Sequence, residues 1–297
     1  MKFSIESEVL QILSEAPNQV IDWGVSVVQA PQIWSLTKGE GVKIAILDTG
    51  VDPNHPDLKD NIKKGKNFTT TNTNDFVDRQ GHGSHCAGII AAIDNSIGVV
   101  GVAPKSELYI GKVLGDDGSG SIQSIIEGIN WAIEEQVDII SMSLGCSVDP
   151  GQSFHDAIKK AHEAGIVIVA ATGNENTHVG WPAAYEETIA VGAVNQSLEH
   201  AAFSNFGSEV DVSAPGVDIY STYKNGSYAK LSGTSMATPM TAGVIALVLS
   251  YLKKIGRAAT PDQIMKLVQE RSVDLGATGD DDSFGNGLIN VFKLIKG

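Results

Sequence analysis

Five short runs that are apolar nearly throughout, at 42–47, 108–113, 137–142, 166–171 and 188–194, constrain this chain's fold more than any other feature. A strand that alternates apolar and polar residues can leave one face to water, but a strand apolar on both faces must be covered on both. Between these runs, 121–136 and 154–164 carry apolar residues at helical spacing, so helices are available as covers. The pattern predicts an α/β fold: a doubly wound, mostly parallel central sheet flanked by helices on both faces. Hydrophobic residues make up 42% of the 297, enough for one large core. Near the end, Thr260-Pro261-Asp262-Gln263 predicts a further helix start, with Thr260 as cap, Pro261 in the first turn and Gln263 closing a capping box.

Ala16-Pro17-Asn18 divides the chain into an N-terminal extension, 1–17, and one main domain, 18–297. The net charge of −14 argues against nucleic acid and anionic membranes as partners, since both require clustered Lys and Arg. Glu6 and Glu8 interrupt what would have to be the apolar core of a signal peptide, so the expectation is a cytoplasmic protein, or a secreted one if the sequence is trimmed. The longest apolar stretch, 244–252, is broken upstream by Thr241 and Pro239 and falls short of a membrane span. Two cysteines, Cys86 and Cys146, do not fix the compartment.

Three motifs carry chemistry. The first buried strand ends in AILDTG, 45–50, which sets Asp48 at the carboxyl end of a parallel strand, where the sites of open α/β sheets gather. Alone this is weak, because many strands end in Asp for turn chemistry. GHGSHCAG, 81–88, sets His82 between glycines at a helix start, with His85 three residues on. A zinc site would need a third ligand at a spacing that is missing, and a hydrogen-bonded helix residue is the preferred reading of His85. SGTSMATP, 232–239, leads into an apolar helix and puts Ser235 in its first turn, where free N–H groups favour a developing anion. Each motif is modest, but the order Asp48, His82, Ser235 is specific, and it differs from the orders of α/β-hydrolases and chymotrypsin.

With DNSIGVVGVAP at 94–104 and KVLGDDGSG at 112–120, these motifs make the chain resemble the subtilases from about Gln19 onward, closest in character to bacterial intracellular subtilisins. The resemblance implies a serine endopeptidase of broad specificity acting on proteins and peptides through an acyl-enzyme. Ser235 would be its nucleophile, His82 the general base and Asp48 the group that orients the base. AATGN, 170–174, matches the family's oxyanion segment, which assigns that role to the Asn174 amide with the Ser235 N–H. Gly118, Ser119 and Gly120, with Ser143, Leu144 and Gly145, correspond to the edge segments that pair with an extended substrate. Ser143–Gly145 and Ala170, Ala171, Thr172 and Gly173 correspond to the walls of the primary pocket, which is small or apolar and so favours a large apolar side chain, with Glu175 at the rim. The resemblance also implies calcium, held by side-chain oxygens of Gln19, Asp57 and Asn95 and carbonyls of Ile93, Ile97 and Val99. Glu209 and Asp211 would mark a weaker second cation site.

Two departures stand out. Pro239-Met240-Thr241 replaces the family's Pro-His-Val, and Cys86 replaces a usual valine. Two alternatives are weighed. A silent homologue that only binds peptides would be expected to lack a triad or oxyanion residue, and none is missing. An esterase is disfavoured because the Gly-x-Ser-x-Gly elbow is missing. The extension resembles the short extension of intracellular subtilisins at Leu13-Ser14-Glu15-Ala16-Pro17, with Phe3-Ser4-Ile5-Glu6 at the place of their Leu-Ile-Pro-Tyr. It is expected to act as a short propeptide: to lie across the substrate groove, to be cut after Ala16, Pro17 or a near neighbour, and on removal to free Gln19 for the calcium site.

Overall fold

The computed structural model describes residues 2–5, 7–13 and 18–297. In chain order the elements are β1 (Lys2–Ser4), β2 (Glu8–Leu13), α1 (Trp23–Val27), α2 (Ala30–Ile33), β3 (Lys43–Asp48), β4 (Ile62–Asn67), α3 (His82–Ala91), β5 (Glu107–Lys112), β6 (Ser119–Ser121) and α4 (Ile122–Glu134). There follow β7 (Ile139–Met142), α5 (Gln152–Glu163), β8 (Val167–Ala171), β9 (Thr188–Val194), β10 (Val212–Pro215), β11 (Ile219–Thr222), β12 (Tyr228–Ser232), α6 (Thr234–Lys254), α7 (Pro261–Arg271) and α8 (Val291–Lys296).

The five apolar runs become the interior of a seven-stranded sheet in the order β10-β9-β8-β7-β3-β5-β4, parallel throughout. Alternate residues of β3 point to opposite faces. Ile44 and Ile46 join a core with Ile90 of α3 and Val244 and Leu247 of α6. Ala45 and Leu47 join a second core with Ile125 and Ile129 of α4 and Phe154 and Ile158 of α5. The doubly wound expectation is therefore met. Two strands of this sheet escaped the sequence pattern. β4 (IKKGKN) is an edge strand paired only to β5, so its lysines can reach water. β10, at the opposite edge, has only four residues.

β3 sits where the strand order reverses: β5 and β4 lie on one side, β7 through β10 on the other. Crossovers leave a crevice at the carboxyl ends of strands at such a point, and Asp48 ends β3 there. Opposite it, α6 is long and apolar enough to cross a membrane by length and composition, which departs from the sequence expectation for this region. Most of it is buried inside the protein, as befits a core helix.

Thr260 and Gln263 form the capping box in both directions, closing the start of α7. Thr260→Ala removes that cap and should lower unfolding stability by about 1 kcal/mol, read from urea denaturation midpoints.

Candidate active site

The carboxyl edge of the sheet brings together the last residue of β3, the first of α3 and the second of α6: Asp48, His82 and Ser235, all buried. Local chemistry sets the start of α3. Asp78 Oδ1 accepts from the Gln80 and Gly81 N–H groups and the Thr49 hydroxyl, while its Oδ2 accepts from the N–H and hydroxyl of Ser84. That carboxylate caps the helix from outside and ties it to the residue after Asp48. Gly81 has φ +113°, a conformation suited to glycine, and a Cβ on Gly83 would lie 2.1 Å from the Gly50 carbonyl oxygen. These glycines let the first turn of α3 rest on the end of β3.

In that position His82 Nδ1 lies 2.8 Å from Asp48 Oδ1 and 3.0 Å from Oδ2. The carboxylate accepts the Nδ1 proton, which leaves Nε2 as the basic nitrogen. Burial works against the imidazolium, but Asp48 outweighs it and holds the His82 pKa well above the ordinary histidine value. Cys86 Sγ lies 3.8 Å from Nδ1. Burial pushes that thiol up, so at neutral pH the sulfur carries no charge and the upward shift of His82 is the work of Asp48. His85 is the structural residue expected of it. Its Nε2 is 3.0 and 3.1 Å from the Ile219 and Ala229 carbonyls, and burial lowers its pKa to about 3, so it stays neutral and braces β11 and β12.

Ser235 owes its surroundings to Pro239. Proline has no N–H for the carbonyl four residues back, so the Ser235 carbonyl is taken instead by the Ser143 hydroxyl at 2.9 Å and the Cys86 thiol at 3.5 Å. Ser143 therefore lies beneath the nucleophile and does not line the pocket, a correction to its assignment as a wall residue. The Ser235 hydroxyl donates a long 3.3 Å bond to the Ser143 carbonyl, and among the described residues His82 Nε2 has no hydrogen-bond partner. Nucleophile and base are thus neighbours in the cleft without a formed bond, a looseness common before substrate tightens such sites.

Asn174 Oδ1 accepts from the N–H of Thr234 at 2.8 Å and its hydroxyl at 3.0 Å, which orients the donating Nδ2 end of the amide. Beside Ser235 lies a pocket walled by Leu144, Gly145, Ala171, Thr172, Gly173 and Gly180. Glu175 stands in its lining, its Oε2 accepting from Asn205 Nδ2 at 2.8 Å. Ala170 does not reach this cavity; it is buried among Val179, Ala190 and Val210, because successive residues of β8 face opposite sides. Asp78, Thr234 and Asn205, which also accepts from the Glu175 and Thr177 N–H groups, are positioning residues that the sequence reading missed.

The two edge segments already carry a strand. β1 pairs antiparallel with β6, Phe3 opposite Gly120 and Ser4 opposite Ser119. On its other side Ser4 exchanges both backbone bonds with Gly145 at 3.1 Å, and the Ile5 N–H donates to the Gly118 carbonyl. Phe3 is fully buried, its ring 5.0 Å from that of Phe154. Farther along, β2 pairs antiparallel with β12, Glu8 opposite Ser232, just ahead of the helix that bears Ser235. The cleavage position expected near Ala16 and Pro17 lies outside the described residues.

Gln19, Asp57 and the 93–99 loop also converge. Gln19 Nε2 lies 2.9 Å from the Ile93 carbonyl oxygen, 3.4 Å from Asn95 Oδ1 and 3.5 Å from the Val99 carbonyl oxygen. Three oxygens thus face one atomic position, and the two ends of an amide are interchangeable by rotation. Asp57, buried, accepts from Asn95 Nδ2 and the Val99 N–H and supplies a negative charge alongside. This donor set fits a hard cation. The Asn18–Ile97 and Val20–Val99 bridges hold Gln19 against the loop with the extension intact, so its removal is not needed to bring Gln19 there. At Asp211 each carboxylate oxygen accepts from nitrogen, Ala190 N–H and Gln269 Nε2, so this residue ties β9 to α7.

Residues 39–287 match the subtilase family. The chain is 46% identical over 276 residues to an intracellular serine protease of Paenibacillus polymyxa, covering 90% of this chain and 84% of that protein. It is 45% identical over 279 residues to a subtilisin of Bacillus pumilus, covering 92% and 98%. It is 45% identical over 258 residues to the major intracellular serine protease of Bacillus subtilis strain 168, covering 83% and 79%.

Because Asp48 raises the His82 pKa, and the base must be neutral to act, kcat/KM should rise with pH through one ionisation above the ordinary histidine value of about 6.5. Cys86→Val should leave that midpoint in place, since the thiol is neutral; a downward move of the midpoint in a pH–rate profile would assign charge to the sulfur.

Proposed function

The chain belongs to the subtilase family and is a serine endopeptidase, and from that premise we propose that its own residues 2–5 occupy the substrate groove as an inhibitory strand and that calcium holds the 93–99 loop. The catalytic sequence follows from the site. Ser235 Oγ attacks a peptide carbonyl and passes its proton to His82 Nε2. The carbonyl oxygen, now an anion, is met by Asn174 Nδ2 and the Ser235 N–H. His82 returns the proton to the leaving amine, and water then releases the acyl group by the same route in reverse. Asp48 stabilises the imidazolium throughout.

Specificity is broad because the edge segments recognise backbone, which every residue offers. The small and apolar walls beside Ser235 favour a large apolar side chain before the scissile bond. A silent homologue gains no support, since the triad and the oxyanion asparagine are all present.

The observation that carries the inhibitory reading is the double pairing of Ser4, between β6 on one side and Gly145 on the other. An extended substrate needs those same backbone groups, so strand and substrate exclude one another. The burial of Phe3 adds apolar stabilisation. Two relatives named as intracellular serine proteases support a cytoplasmic setting. For calcium, the support is the convergence of the Ile93, Asn95 and Val99 oxygens on the Gln19 amide. Bound there, the ion would link residues far apart in sequence; it takes no part in proton transfer.

Ser235→Ala should abolish casein hydrolysis with the fold unchanged by circular dichroism, and a serine-reactive phosphonate should label the wild type at Ser235. In the Ser235→Ala background, the full chain should bind a reversible peptide inhibitor at least about tenfold more weakly than the same chain carrying Phe3→Ala, since emptying a buried aromatic site weakens the strand that competes. Equal affinities would remove the inhibitory strand. Moving from excess calcium to excess chelator should lower the melting temperature by roughly 5 °C, because only the folded chain assembles the oxygens.

A further inference from the structure

The strand in the groove records more than blockage. Lys2 stands one position ahead of the buried Phe3, and its Nζ donates to the Ser119 hydroxyl at 3.3 Å and lies 3.8 Å from Asp117 Oδ2. The Ser119 hydroxyl proton is already committed, donated to Asp117 Oδ2 at 2.7 Å, so its lone pairs are what Lys2 meets. The Ser119 N–H donates to the other carboxylate oxygen at 3.0 Å. One residue thus pins Asp117 by two bonds and aims it at the path of the strand.

The surrounding charges single out Asp117. Asp116 lies 2.8 Å from Lys112 Nζ and 4.0 Å from Arg79, and Arg79 also pairs with Asp75 at 2.9 Å. Asp75 and Asp116 are matched by Arg79 and Lys112, whereas among the described residues the only ion-pair partner of Asp117 is Lys2. All six line one open cleft beside β6. Without Lys2, that cleft holds one uncompensated negative charge, and Asp117 carries it.

We propose that Asp117, braced by Ser119, is a specificity residue of this protease that favours substrates with a lysine or arginine immediately before the apolar side chain buried at the Phe3 position. The inference rests on the reading of residues 2–5 as a strand lying where substrate lies. It identifies a substrate class: extended peptides of the pattern basic, large apolar, small, then β-branched, as in Lys2-Phe3-Ser4-Ile5. Both charged side chains are largely exposed, so the effect is a preference, about two- to five-fold, not a requirement. It weakens with salt, because an exposed pair is screened within about 10 Å at 0.1 M ionic strength.

The test uses the full chain and three acetylated peptide anilides, X-Phe-Ser-Ile-Phe, with X as Lys, Gln or Glu. Any residual blockage by the extension lowers kcat/KM for all three alike, so ratios report the subsite alone. In low salt the wild type should cut the Lys peptide about two- to five-fold faster than the Gln peptide, with Glu slowest. In Asp117→Asn the Lys-to-Gln ratio should fall to about one, and 1 M sodium chloride should do the same to the wild type. Equal rates for Lys and Gln in the wild type, or a preference that survives Asp117→Asn, would overturn the subsite while leaving the protease reading intact. Phe3→Ala, which weakens the competing strand, should show the same three ratios at higher rates, and failure of that variant to cut any of the three peptides would overturn the reading of the groove itself, and the subsite with it.

Discussion

The 2.8 Å contact between His82 Nδ1 and Asp48 fixes where the first turn of α3 must stand, and much of the surrounding design follows from it. For a helix to begin that close to a strand end, backbone must pass where side chains would collide. The bare Cα of Gly83 against the Gly50 carbonyl makes the room. The open N–H groups of the helix need an acceptor that is not the catalytic carboxylate, and Asp78 supplies it. With capping delegated to Asp78, Asp48 is kept for the imidazole. Thr49 couples the two carboxylates, its hydroxyl donating to Asp78 while its N–H donates to Asp48.

A similar division of labour governs the nucleophile. Pro239 denies the Ser235 carbonyl its helical partner, and Ser143 and Cys86 fill the gap. The proline thereby ties the first turn of α6 to β7's continuation and to α3, so base and nucleophile share a common brace. That brace accounts for why a cysteine is tolerated beside a catalytic histidine. The thiol donates to a carbonyl, stays neutral in its burial, and adds no competing nucleophile at neutral pH.

The sheet was legible in the sequence because interior parallel strands must be apolar on both faces, a demand that leaves a pattern. β4 was not, since an edge strand with three lysines satisfies no such demand. Asp48, His82 and Ser235 were legible through their order and flanking glycines, whereas Asn174 and the proposed calcium ligands were reached only through resemblance. Asp78, Thr234 and Asn205 escaped because Asp, Thr and Asn make the same short capping bonds at many ordinary turns. What distinguishes these three is the partner reached across the fold, which no local pattern encodes. Ala170 was misassigned because neighbours along a strand face opposite ways, and Ser143 because its hydroxyl turns to the Ser235 carbonyl that Pro239 leaves open.

The pairing of β1 was legible only through resemblance, at Phe3-Ser4-Ile5-Glu6, and its chemistry explains both that and its use. Backbone pairing asks nothing of side chains, so residues 2–5 need carry no signature to lie in the groove. The groove, for its part, cannot distinguish them from substrate by backbone alone. Discrimination must come from what the side chains add and from connectivity. A strand in the same chain meets its site at an effective concentration on the order of millimolar, which ordinary peptides must exceed or outbind. The burial of Phe3 raises that threshold, whereas the exposed Lys2–Asp117 pair adds little. Occupancy of the groove by its own chain therefore depends chiefly on one buried ring and on the tether, and loss of either gives the same Gly118, Gly120 and Gly145 backbone groups back to substrate.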